Sequence, residues 1–208
     1  MRKTFFAIAA AVMIMTGCSQ KSAQEHGCAN KGAAAIENIM NRKSVRSFTG
    51  EAISEEDMTT MLKAAMAAPS GMNIQPWSFV VLTDASKFDD IFQGNFNVGT
   101  FKSAGTVVVM CADTTTQSRG SEERVPNSMW RDDLGASTEN FLLAAEALGL
   151  GAVWTAGYPF MERIEHVKEA LGLPAEVLPY CMIAVGHPDG ENQPKDKFKA
   201  DRIHYGKW

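Results

Sequence analysis

The chain has no block of basic residues, no Cys-x-x-Cys pair, no Walker loop, no Gly-x-Ser-x-Gly and no histidines at metal-ligand spacing. Each absence removes a class of function. Lys+Arg 20 against Asp+Glu 24, a formal net charge of -4, gives no electrostatic footprint for a phosphate backbone, so nucleic acid is excluded as the main partner. Four cysteines, at 18, 28, 111 and 181, indicate neither a disulfide framework nor a zinc site. Cys111 and Cys181 fall in apolar strand-like runs and read as core residues. The histidines, at 26, 166, 187 and 204, read as surface or satisfied core. Ser70 and Ser78 have no His or acid beside them, which leaves a serine hydrolase without support. Gly149-x-Gly151 lacks a third glycine and precedes a strand pattern, so it is not a dinucleotide loop. What is present is a globular composition, 45% hydrophobic and 21% charged, suited to one sizeable domain.

Residues 1–18 read as an export signal rather than fold. Arg2 and Lys3 are followed by an apolar run from Phe5 to Met15, shorter than the ~20 residues a spanning helix needs. Met15-Thr16-Gly17-Cys18 resembles the lipobox of bacterial lipoproteins, which makes Cys18 the lipidated residue and implies a membrane anchor on the far side of the cytoplasmic membrane. Residues 19–34 are small and polar, a tether, and 35–208 form the domain.

The domain is organised around Ala68-Pro69-Ser70-Gly71-Met72-Asn73-Ile74-Gln75-Pro76-Trp77. Two prolines fix φ and Gly71 permits a positive φ, which makes a rigid turn. The spacing puts Asn73 and Gln75 on one face of extended chain. Their carboxamides either satisfy local backbone or meet the donor–acceptor edge of a planar heterocycle. Upstream, the helical pattern Ala35–Met40 runs into Arg42-Lys43-Ser44-Val45-Arg46. Arg42 and Lys43 either complement a helix C-terminus or, with Ser44 and Arg46 on one face of extended chain, clamp a phosphate.

The remaining pattern alternates helices and buried strands. Ser54 caps a helix with face Met58, Met61, Leu62, Ala65 and Met66. Strands are expected over 79–83, 106–112, 152–155 and 180–186, with helices near 85–93 and over 127–148 and 160–171. Residues 113–126 read as a polar, mobile excursion. The tail carries Lys195, Lys197 and Lys199 and ends in aromatics that are expected to dock on a second subunit.

Arg42–Phe48, the 68–77 stretch and the Ala-rich helix closing in Ala147-Leu148-Gly149-Leu150-Gly151 together resemble the FMN-dependent nitroreductase family over about residues 35–208. The resemblance implies an α+β sandwich, a central mostly antiparallel sheet flanked by helices, in an intertwined homodimer with FMN at the interface. It further implies that Arg42, Lys43, Ser44 and Arg46 hold the phosphate and ribityl end, with Lys195 and Lys197 approaching the phosphate. Pro69, Ser70, Asn73 and Gln75 would meet the flavin, and Ala156 and Gly157 would offer backbone amides near the reactive ring. The implied reaction is ping-pong electron transfer from NAD(P)H, or from a membrane or protein donor, to a nitroaromatic or quinone, with the chemistry carried by FMN. The alternatives are a flavin- or ligand-binding lipoprotein without turnover, or a relative acting as a dehalogenase or metabolite oxidase.

Overall fold

The strand Thr106–Asp113, β2 in the numbering used below, reads Thr-Val-Val-Val-Met-Cys-Ala-Asp and is buried along nearly its whole length. Alternation along it sends Val108, Met110 and Ala112 to one core and Val107, Val109 and Cys111 to another. A strand apolar on both faces must be covered on both, and the rest of the chain supplies the two covers.

The computed structural model describes residues 32–93 and 97–208. The expected signal, Cys18, Cys28 and nearly all of the tether lie outside the described residues, as do residues 94–96. Backbone proximity divides the chain into residues 1–37 and 38–208. The first unit contributes, in described form, only the beginning of a helix over 32–41, called α1, which starts inside the expected tether.

In the second unit the four-stranded sheet has order β1-β2-β6-β5, with β1 Trp77–Leu82, β5 Gly151–Ala156 and β6 Val177–Gly186. Every pairing is antiparallel. Helices α2 (Glu55–Met66) and α5 (Trp130–Ala147) contribute Met61, Ala65, Leu134, Phe141 and Ala145 to the core on one face. Short helices α3 (Phe88–Ile91) and α4 (Val98–Ala104) join α6 (Met161–Ala170) on the other, bringing Phe88, Phe101 and Val167. Burying one such side chain contributes about 1.5–3 kcal/mol.

Helix α2 starts where its sequence signs place it, with the Ser54 hydroxyl accepting from the Asp57 N–H at 3.0 Å. Two expectations fail. Pro179, read as punctuation before the last strand, lies inside β6; the register slips opposite it between Met110 and Cys111, and a bulge tolerates a residue with no N–H to donate. The expected mobile excursion holds a hairpin, β3 (Thr115–Gln117) and β4 (Arg124–Pro126). Arg124 bridges its strands, ion-pairing with Asp113 and donating to the Thr115 hydroxyl from Nε at 2.8 Å. Burial alone would raise the Asp113 carboxyl, but the Thr115 N–H, Arg124 and the Thr115 hydroxyl outweigh it and hold it below its usual value.

Candidate functional site

Val45 is buried and its neighbours Ser44 and Arg46 are exposed, the alternation expected of an extended segment. The Val45 N–H donates to Ala152 O at 3.0 Å, and Ser44 bridges Ala152, so this segment runs along the free edge of β5. Val45 fills the space beside Gly151, where an added Cβ would lie 2.7 Å from Val45 Cγ1. Only glycine there lets the segment lie flat. After β6 the chain returns to the same place: the Thr49 N–H donates to His187 O and the Asp189 N–H to Ser47 O, at 3.0 and 2.9 Å.

These contacts deliver the tail to the early cations. Arg42, Lys43, Ser44, Arg46, Gln193, Lys195 and Lys197 line one hollow of about 220 Å³. Both banks expected from the sequence therefore meet, and Gln193 joins them, a residue that the sequence reading passed over. Arg42 Nε lies 2.8 Å from Glu139 Oε1 and Lys43 Nζ lies 2.8 Å from Glu146 Oε1, both carboxylates on α5. Arg46, Lys195 and Lys197 have no carboxylate partner among the described residues. The hollow thus keeps three uncompensated cations and a hydroxyl, a donor set that fits a phosphate dianion.

The turn at 68–77 is tied down by contacts the sequence did not indicate. Gly71 is not in the left-handed region; Met72, Asn73 and Gln75 are, at φ 51°, 58° and 55°. The segment is a short 3-10 turn, Gly71–Asn73, rather than the expected extended chain, because each left-handed residue reverses its direction. The two carboxamides still meet: Gln75 Nε2 donates to Asn73 Oδ1 at 2.9 Å, and the Gln75 N–H donates to Ser70 Oγ at 3.0 Å. Asn73 and Gln75 are exposed, and Pro69 is too, with Ser70 half-buried.

The turn is fastened to the start of α5. The Gly71 N–H donates to Asp133 Oδ1 at 2.8 Å, and an added Gly71 Cβ would lie 2.5 Å from Met129 Sδ. Asp133 is 4% exposed, and its Oδ2 has no hydrogen-bond partner among the described residues. The sequence did carry a sign of it, a carboxylate on the stripe Trp130, Leu134, Ser137, Phe141 that the helix buries.

Ala156 and Gly157 lie at the opposite end of β5 from the hollow, roughly 17 Å along the strand from Gly151. Ala156 is exposed, but the Gly157 N–H is already taken by Tyr180 O at 3.2 Å, so Gly157 does not offer the free amide expected of it. An aromatic group closes this end: Trp130 packs edge-on against Tyr158 at 5.0 Å, and Arg131 donates to the Tyr158 hydroxyl at 3.2 Å. Lys43 and Gly71 contact α5 through Glu146 and Asp133, about 20 Å apart along its axis. Within one chain, the cationic hollow and the amide-bearing turn therefore occupy opposite ends of α5.

The fold and these features define an α+β sandwich protein with a cationic hollow and a strained, polar turn at opposite ends of α5. A family model described as "Nitroreductase family" matches residues 39–94 and 92–187, and the chain belongs to that family. It is 37% identical over 177 residues to a protein of Archaeoglobus fulgidus inferred to be an NADH dehydrogenase/NAD(P)H nitroreductase, covering 83% of this chain and 98% of that one. A solved structure from Bacteroides thetaiotaomicron with the same inferred activity superposes with TM-score 0.76 at 38% identity, covering 84% of this chain and 98% of that one. A protein of Desulfovibrio desulfuricans inferred to be a nitroreductase, solved in complex with FMN, gives TM-score 0.69 at 29% identity, covering 81% of this chain and 94% of that one. The family match ends at residue 187, so the Gln193–Lys197 bank of the hollow stands on its own geometry.

Proposed function

We propose that the protein is an FMN-dependent oxidoreductase whose FMN phosphate sits in the hollow between Arg42–Arg46 and Gln193–Lys197. The observation that carries this is the donor set itself: three cations without carboxylate partners and a serine hydroxyl, gathered from distant parts of the chain into one small space. FMN held there would supply two-electron chemistry between a reduced donor and an electron-poor acceptor such as a nitroaromatic or a quinone.

The side chains bind and orient. Arg46, Lys195 and Lys197 fix the phosphate, and Glu139 and Glu146 hold Arg42 and Lys43 in place by their ion pairs. In the Asn73–Gln75 pair, Asn73 Nδ2 and Gln75 Oε1 have no partner among the described residues and can meet a heterocycle edge. Because that turn lies across α5 from its own hollow, a second copy of the chain supplies it, and the active unit is a homodimer.

The visible spectrum of the purified soluble domain tests this reading. A yellow protein carrying one FMN per chain is expected, bleached anaerobically by a reduced donor and recoloured by a nitroaromatic or quinone. A colourless protein that fails to take up added FMN overturns it. Stable binding without turnover would instead favour a flavin-carrying lipoprotein.

A further inference from the structure

Three costs are concentrated where the 70–75 turn meets the start of α5. Met72, Asn73 and Gln75 are non-glycine residues in left-handed backbone, a strained conformation for L side chains. Gly71 leaves no room for a side chain against Met129. Asp133 is buried with one carboxylate oxygen engaged and the other without a partner among the described residues. Such a carboxylate loses hydration that one hydrogen bond only partly replaces. Features of this kind persist where the surroundings over-determine them, and they gather at functional sites.

We propose that Asp133 is a positioning residue for the flavin ring. Resting on the FMN reading above, it acts through Gly71: Oδ1 receives the Gly71 N–H and fixes the first residue of the turn. Ser70 Oγ then receives the Gln75 N–H, which sets the last. Asn73 and Gln75 are thereby held with their amides locked together and facing outward. Without the anchor the three left-handed residues relax toward ordinary backbone, and the Asn73–Gln75 edge is lost. Met129 is the second wall of the same anchor: it lies against Gly71, its N–H donates to Asn127 Oδ1, and its carbonyl accepts from the Asp133 N–H at 3.1 Å.

The ring and the phosphate are therefore held by separable devices, and this gives a test that a merely structural Asp133 would not pass. Asp133→Leu in the full chain is expected to weaken FMN and riboflavin alike, by about 10-fold to 100-fold, since the lost bond is to a charged acceptor. Asp133→Asn, which keeps an acceptor for the Gly71 N–H, is expected to recover most of that loss. The flavin absorption bands of the bound state should shift with Asp133→Leu and return with Asp133→Asn. An Asp133→Leu protein that folds and binds riboflavin as tightly as wild type overturns the proposal. Should that variant fail to fold, Asp133→Ala, which removes the acceptor without adding bulk, decides: it should weaken both flavins by a similar factor, and an unchanged riboflavin affinity overturns the proposal too. A wild-type protein that binds no flavin would sink the FMN reading instead, so the two failures are distinguishable.

Discussion

Replacing Arg46 with alanine separates the phosphate from the rest of the flavin. Arg46 is the cleanest probe because, unlike Arg42 or Lys43, its removal frees no carboxylate into the hollow. Its guanidinium is exposed, and its backbone stays fixed by the buried Val45 beside it. A hydrogen bond to a charged group contributes about 1.5–3 kcal/mol, and exposure to screening places this one at the lower end of that range. At 1.4 kcal/mol per factor of ten, FMN affinity should fall by about 10-fold to 30-fold. Riboflavin, with no phosphate, should bind as it does to wild type. Screening adds a second signature, because charges separated by more than about 10 Å are largely screened at 0.1 M salt. Lys195 and Lys197 still attract the phosphate in the variant, so FMN affinity should keep a salt dependence that is shallower than in wild type. Titrating the apo-protein with each flavin, by fluorescence quenching at low and high ionic strength, measures all of this. Equal losses for FMN and riboflavin would show that Arg46 supports the fold and not the phosphate, and the reasoning would be refuted.

Cys18→Ala should move the protein out of the membrane fraction and leave its visible spectrum intact; wild type found uncleaved in the cytosol with efficient NADPH turnover would refute the export reading. Outside the cytoplasm, a membrane quinol or a partner redox protein should reduce the flavin at least as fast as NAD(P)H, which stopped-flow comparison of the donors decides. Sedimentation should give a homodimer, and deleting the segment from Ile203, whose Tyr205 and Trp208 are almost fully exposed in the single chain, should weaken it; a monomer with full flavin occupancy would contradict this. Burial pushes the Cys111 thiol up from 9.0 to about 12 and that of Cys181 higher still. Above the unfolded thiol range the unfolded chain has lost protons that the native one keeps, so stability declines as pH rises from about 9 toward the folded values. Cys181→Ala should therefore flatten the alkaline decline in denaturation midpoints by about 1.4 kcal/mol per pH unit, and an unchanged slope would rule this out.

The sheet was legible because its signals are local. Val107 to Ala112 can only be a strand buried on both faces, and Ser54 ahead of three acids can hardly be anything but a helix start. The phosphate bank was legible in part for the same reason, since alternation at Ser44-Val45-Arg46 is a short-range pattern. Meeting the tail was a long-range event, carried by the Thr49–His187 and Ser47–Asp189 backbone bonds that no local pattern reveals. The turn was misjudged because glycine is the ordinary owner of positive φ, whereas here tertiary contacts, Asp133 beneath and Met129 beside, impose it on Met72, Asn73 and Gln75. The hairpin escaped for want of apolar alternation, as its strands are held by Arg124 across Asp113 and Thr115 instead.

The hollow has a consequence in time as well as in space. One bank, Arg42 to Arg46, leaves the ribosome before any of the sheet, and the other, Gln193 to Lys197, leaves after all of it. Domains form as units while synthesis proceeds from the N-terminus, so a chain stalled or clipped just beyond β6 would own its entire core and still lack half of its cationic hollow. Capture of the phosphate-bearing ligand thereby becomes a certificate of completion. On the proposed export, whichever compartment receives the last stretch of chain is the one that must provide the flavin.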